Sequence, residues 1–127
     1  MIIKNLLALK KAIFTLAVCY TIALAVVSLI SLQGLPSTGI SNFDKIAHFG
    51  AYAVLFSVWY LAFQPLNIKK FSYLLLACVL YGIILEAFQG KFTTERVSDF
   101  LDIVANTVGV LSAAYVMPKV IKSYVKK

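Results

Sequence analysis

Four long apolar runs separated by short polar segments dominate this sequence. They cover residues 12–32, 44–64, 71–89 and 99–117. Each is close to the roughly 20 residues that an α-helix needs to cross a hydrocarbon core. Only 13% of the 127 residues are charged, and the mean hydropathy is +0.91. We therefore predict an all-α membrane protein that forms a single domain over residues 1–127, a bundle of four transmembrane helices.

The composition excludes several other classes of protein. Low charge and high apolar content rule out disorder and do not fit an ordinary globular domain. The net charge of +7 comes from lysines at the ends of the apolar runs, where they contact anionic headgroups. Membrane lipids are therefore the expected partners, and nucleic acid is not. The run at 12–32 is longer than the apolar core of a signal peptide, so we predict a retained helix.

The distribution of lysines predicts the orientation of the bundle. Lysines are enriched in cytoplasmic segments that flank membrane helices. Nine of them lie before the first run, in the 65–70 segment and after the last run, whereas the other side of the membrane carries Lys45, Lys91 and Arg96. We predict that both termini are cytoplasmic (N-in and C-in) and that the two longer loops lie outside.

All five acidic residues and the only histidine lie in two short stretches, 44–48 and 86–102. Charged groups at membrane depth are costly and face the interior of a bundle. Asp44, His48 and Tyr52 are spaced at i, i+4 and share one face of the second predicted helix.

The third and fourth predicted helices carry polar stripes at the same depth. We expect the three stripes to meet in a polar pocket that opens to the outside, because lipid excludes polar side chains. We predict that this pocket binds a ligand and that ten residues line it: Asp44, Lys45, His48, Tyr52, Glu86, Gln89, Arg96, Asp99, Asp102 and Asn106.

Two interpretations compete for several of these carboxylates. Asp44 and Asp99 stand at predicted helix N-termini, where capping and the helix dipole alone favour a carboxylate. Glu86 lies near a helix C-terminus, where the dipole disfavours an anion. Glu86 therefore needs a stabilising partner, and the candidates are Arg96, Lys45 and a bound cation.

His48 also has two interpretations. In the first, it is a hydrogen-bonded packing residue. In the second, it is a general acid or base whose proton affinity is adjusted by Glu86. With Glu86, Asp99 and Asp102 it offers an imidazole and carboxylates to a metal. The chain has one histidine and no HxxxH pair, so we predict no metal and no cofactor. Asn106 can serve simply as an interhelical hydrogen-bonding group.

Three segments in this order resemble the VanZ-like family of small bacterial membrane proteins. They are DKIAHFGAYAVL from Asp44, GIILEAFQ ending at Gln89, and RVSDFLDIVANTVG from Arg96. The chain departs from the family pattern at Thr94 and Glu95, where proline and glycine are common, and at Ala113, where a second glycine is common.

The resemblance implies a multi-pass protein of the bacterial cytoplasmic membrane, in a family whose namesake is linked to teicoplanin resistance. The leading hypothesis is that the outward pocket binds an envelope component or a glycopeptide-type antibiotic, with a role in antibiotic resistance. A lipid-linked envelope precursor and a glycopeptide are the candidate partners. The alternative is a membrane enzyme that acts on a lipid-linked envelope precursor with His48 and Glu86. A third hypothesis is a purely structural role, in which the polar stripes only hold the helices of the bundle together.

Overall fold

The structure is a computed structural model that describes residues 2–30, 43–92 and 100–126. Four helices account for nearly all of these residues: α1 (Ile2–Leu29), α2 (Phe43–Ala62), α3 (Ile68–Phe92) and α4 (Phe100–Val125). No strand occurs within the described ranges. The prediction of an all-α membrane bundle is confirmed.

Three of the helices are longer than their apolar runs. α1 begins at Ile2 rather than at residue 12, because leucine, alanine and lysine are good helix formers and a lysine does not end a helix. α3 begins at Ile68 and includes Lys69 and Lys70. α4 continues through Pro118 to Val125 rather than ending at residue 117. Hydropathy locates the apolar part of each helix, whereas backbone hydrogen bonding extends beyond it.

Within the described ranges, three helical segments are long and apolar enough to cross a membrane: Lys4–Leu29, Ile68–Gln89 and Phe100–Val125. α2 is not in this group, although its 20 residues span about 30 Å. Its first two turns carry Asp44, Lys45 and His48, which lower its apolar character. The crossing of α2 and the cytoplasmic location of both termini stay predictions.

α2 is the central helix of the bundle. It packs against α1, α3 and α4, most extensively against α4. α1 runs parallel to α3, as the hydrogen bonds from Tyr81 to Thr21 and from Gln89 to Ser28 show. A helix surrounded by other helices can carry polar side chains, because they face protein rather than lipid.

α2 and α4 approach each other closely at Gly109. A Cβ atom on Gly109 would collide with the backbone carbonyl of Phe49 on α2. Glycine allows this approach because it has no side chain. The parallel packing of α2 and α4 places their N-terminal turns side by side, and those turns carry two of the predicted polar stripes.

The apolar core lies on one side of these polar turns. Its buried residues come from α2, α3 and α4, and the rings of Phe56, Tyr60 and Phe71 contact one another. At the α1–α2 contact, Phe14 lies edge-on to Trp59, and Trp59 donates a hydrogen bond of 2.8 Å to the Thr21 hydroxyl. The core therefore holds the polar ends of the helices in fixed relative positions.

Candidate functional site

The three polar stripes meet at one end of the bundle. Five residues form what we call the polar cluster: Lys45, His48, Glu86, Asp102 and Asn106. They come from the first turns of α2, the last turns of α3 and the first turns of α4. The lysines at the start of α1 and α3 and at the end of α4 lie at the opposite end.

Lys45 joins the two parallel helices of the cluster. Its Nζ donates hydrogen bonds to Asp102 Oδ1 at 2.5 Å and to Asp44 Oδ2 at 2.9 Å. The Asp102 side chain is 12% exposed, whereas that of Asp44 is 54% exposed. Charge attraction is stronger where water is excluded. The contact with Asp102 is therefore the stronger of the two.

His48 lies one turn further along α2 and is held by α4. Its Nδ1 is 2.9 Å from Asn106 Oδ1. A carbonyl oxygen only accepts hydrogen bonds, so this contact places the proton on Nδ1. The Nε2 atom then faces Asp102 Oδ2 at 3.6 Å. Asn106 thus orients the imidazole, and Nε2 points toward the carboxylates.

Glu86 reaches the cluster from α3 and is 2% exposed. One carboxylate oxygen from Glu86, one from Asp102 and one ring nitrogen of His48 lie within 4.8 Å of one another. Nitrogen and oxygen donors at this separation can exchange a proton or share a cation. Among the described residues, an imidazole and two carboxylates are therefore concentrated at one point.

Gln89 and Tyr52 border the polar cluster on different sides. Gln89 is buried and its Nε2 donates a 2.7 Å hydrogen bond to the backbone carbonyl of Ser28. Tyr52 is buried, and its ring lies against Gly82 of α3. A Cβ on Gly82 would also come within 3.2 Å of the Asn106 Cβ. These contacts connect the cluster to α1 and α3.

The remaining predicted site residues have different positions. Asp44 lies at the rim, exposed and in contact with Lys45. Arg96 and Asp99 lie outside the described residues. Ligand binding by the ten predicted residues stays a prediction.

Two grooves open beside the helices, and both are lined mainly by apolar side chains. The first lies between α2 and α4, has a volume of about 370 Å³, and is lined by Lys45, Ile46, Phe49, Leu101, Val104, Ala105 and Val108. The second lies among α1, α2 and α3, next to Trp59 and Tyr81, with about 230 Å³. Lys45 therefore belongs both to the polar cluster and to the first groove.

A comparison with protein families matched the VanZ/LLP1 family model over residues 3–122. This chain belongs to the VanZ/LLP1 family. The match covers nearly all of the four helices, so the polar cluster lies inside the matched region. No curated protein and no solved structure matched.

Some contacts of this VanZ/LLP1 member could not be anticipated from residue types. Ser28 contributes its backbone carbonyl, which any residue could supply, to bind Gln89. In the contact between Phe49 and Gly109, Phe49 contributes backbone atoms, so its residue type does not reveal the contact. Gly109 and Ala113 are four residues apart, a small-residue spacing typical of helix contacts, but this spacing does not identify the partner helix.

Proposed function

We propose that this protein binds the anionic headgroup of a lipid-linked component of the bacterial envelope. The headgroup would lie beside Lys45 at the rim of the polar cluster, and the apolar chain would lie in the groove between α2 and α4. On the orientation predicted from the lysines, this end of the bundle faces away from the cytoplasm.

The observation that carries the proposal is that Lys45 belongs both to the polar cluster and to the groove between α2 and α4. Its ammonium group contacts the carboxylates of Asp44 and Asp102, and its side chain also lines the apolar groove. A phosphate-bearing lipid has the matching pair of features, an anion next to a long hydrocarbon chain. A lysine is a common ligand for phosphate oxygens.

The groove favours a lipid-linked ligand over a wholly polar one. Apart from Lys45, its lining residues are aliphatic or aromatic, and Ile46, Phe49 and Val104 are all exposed in the protein. In a membrane, these side chains contact hydrocarbon. A hydrocarbon chain seated there leads directly to the Lys45 ammonium.

The test is binding of a polyisoprenyl phosphate to the purified protein, measured by native mass spectrometry. Lys45→Met should weaken binding, because the ammonium is lost and the side-chain length is kept. Lys69→Met, at the opposite end of the bundle, is the matched control and should bind as the wild type does. Equal binding by both variants would contradict the proposal.

A second pair of variants tests the groove. Val104→Trp fills the groove between α2 and α4, whereas Leu111→Trp places the same ring on an exposed position of α4 outside it. We expect weaker lipid binding for Val104→Trp alone. If teicoplanin binds in place of the lipid phosphate and Val104→Trp leaves that binding intact, the ligand is a glycopeptide and not a lipid.

A role in antibiotic resistance is tested through Glu86. Glu86→Gln keeps the size of this buried side chain and removes its charge. We expect normal expression with loss of any protection against teicoplanin in a susceptible bacterium. Unchanged protection by the variant would show that the buried carboxylate is not needed for resistance.

The orientation of His48 supports enzymatic activity as a second candidate function. Asn106 holds Nδ1 and leaves Nε2 facing carboxylates, an arrangement suited to general acid or base catalysis. Turnover of a lipid-linked envelope precursor by purified protein, lost in His48→Ala, would favour this function. Binding without turnover across such lipids would favour the binding function.

A further inference from the structure

We propose that His48, Glu86 and Asp102 bind one divalent transition-metal ion. The sequence predicts no metal, because the chain has one histidine and no HxxxH pair. The bundle nevertheless brings one donor atom from each to within 4.8 Å of the others. The proposal concerns the ion alone and does not rest on lipid binding.

The separations suit small metal–ligand distances. Bonds of about 2.0–2.2 Å in a tetrahedral site place ligand atoms about 3.4 Å apart. His48 Nε2 and Asp102 Oδ2 are 3.6 Å apart. One Glu86 oxygen lies within 4.8 Å of the donor atoms of His48 and Asp102, so Glu86 would be the third ligand. The fourth position would hold water or an oxygen of a bound molecule, as in zinc sites with three protein ligands.

The hydrogen bond to Asn106 prepares the imidazole for a metal. It keeps the proton on Nδ1, which leaves the Nε2 lone pair directed at the carboxylates. His48 Nε2 and Asp102 Oδ2, which are 3.6 Å apart, can therefore both bind one cation placed between them. Metal-bound histidines commonly donate their other ring N–H to an oxygen in this way.

The charges favour a positive ion. Glu86 and Asp102 supply two carboxylates from residues that are 2% and 8% exposed, and the single positive charge of Lys45 offsets only one of them. Lys45 contacts Asp102 through Oδ1, so Oδ2 remains directed at His48. One imidazole with two carboxylates is a donor set that accepts Zn²⁺ and Mn²⁺.

The first test uses Zn²⁺ alone and the wild-type protein in detergent, free of any histidine tag. His48 is the only histidine, so ¹⁵N-histidine labelling gives the NMR signals of a single imidazole. We expect one zinc ion per chain, a shifted Nε2 resonance and a retained Nδ1–H. An Nε2 resonance that zinc leaves unchanged would overturn the proposal.

The second test compares two aspartates that contact the same ammonium group. Loss of a residue that only supports a ligand lowers metal affinity about 10–100-fold. Asp102→Asn should weaken zinc binding by more than this, because it removes a ligand. Asp44→Asn, which removes an exposed carboxylate 2.9 Å from Lys45, should bind zinc within a few-fold of the wild type. Similar affinities for the two variants would overturn the assignment of Asp102 as a ligand.

Lys45→Met separates the metal site from lipid binding. Removal of a nearby positive charge should keep or tighten zinc binding, whereas the proposed lipid contact is lost. His48→Ala should abolish the zinc-dependent signal, and circular dichroism checks that the variant keeps its helices. Zinc binding that survives in His48→Ala would overturn the site even if lipid binding is observed.

Discussion

Lys45 Nζ on α2 lies 2.5 Å from Asp102 Oδ1 on α4, and the two residues are 57 positions apart in the chain. The same nitrogen contacts Asp44, its neighbour in sequence. One ammonium group thus forms a long-range ion pair in a largely buried setting and a local ion pair at the rim. The two contacts provide an internal comparison for every experiment on the polar cluster.

The two ion pairs should differ in their contribution to stability. In double-mutant cycles with Lys45→Met, we expect Asp102→Asn to give a coupling energy of about 1–3 kcal/mol. The Asp44 pair should give about 0.2–1 kcal/mol, because its carboxylate is half exposed. The measurement is unfolding in mixed detergent micelles. Equal coupling energies would show that burial does not strengthen the contact with Asp102.

We expect a side chain at Gly109 to destabilise the protein, because α2 and α4 lie very close together there. Gly109→Ala places a methyl group against the Phe49 carbonyl and should lower the free energy of unfolding by about 1–3 kcal/mol. Gly50→Ala is the matched control on the facing helix, since a Cβ there has nothing within 4 Å. It should be neutral or stabilising by up to about 1 kcal/mol, because alanine favours helix.

Gly109→Ala should also disturb the polar cluster. A forced separation of α2 from α4 lengthens the contact between His48 and Asn106. The ¹⁵N signals of the single imidazole should therefore shift in Gly109→Ala and stay near their wild-type positions in Gly50→Ala. Identical signals and stabilities in the two variants would contradict the close packing.

The hydrogen bond from Gln89 to the Ser28 carbonyl should stabilise the bundle. Gln89→Leu removes a buried donor and should cost about 1–3 kcal/mol, because the carbonyl of α1 loses this partner. Gln64→Leu is the control: Gln64 bonds the Tyr60 carbonyl of its own chain segment at 3.1 Å, so its loss should cost less. Thermal unfolding by circular dichroism distinguishes the two.

The Gln89 variant also separates stability from binding. If Gln89 only connects α3 to α1, the folded Gln89→Leu protein should bind zinc and lipid as the wild type does. A large loss of lipid binding at unchanged stability would instead place Gln89 in the ligand site, as its position on the polar stripe of α3 first indicated.

The predicted orientation can be tested by cysteine labelling in intact cells. In a Cys19→Ala, Cys78→Ala background, a membrane-impermeant maleimide should label Asp44→Cys from outside. Asp44 is suited to this because its side chain is half exposed. Lys126→Cys should react only after the membrane is opened. The reverse pattern would place both termini outside and the polar cluster in the cytoplasm.

The amino-acid sequence alone determined the class of fold and the residues that carry the chemistry. Four apolar runs of sufficient length predicted the helices. Inside a membrane, backbone groups must form their hydrogen bonds within the protein, and a helix forms them within one segment. Helical spacing placed His48 with Asp44 and Asn106 with Asp102 on shared faces. The cost of charge in lipid then required those faces to point inward. These inferences need only the local sequence and the properties of the lipid that surrounds the helices.

Only the tertiary structure decided which groups contact each other. Periodicity gives the face of a helix but not its neighbour, and several partners of Lys45 and His48 were equally available. The approach of Gly109 to Phe49 sets α2 beside α4, which brings Lys45 to Asp102 and His48 to Asn106. The central position of α2 also explains how Lys45 and His48 contact protein groups rather than lipid. Such contacts depend on the packing of whole helices, which no single segment of sequence encodes.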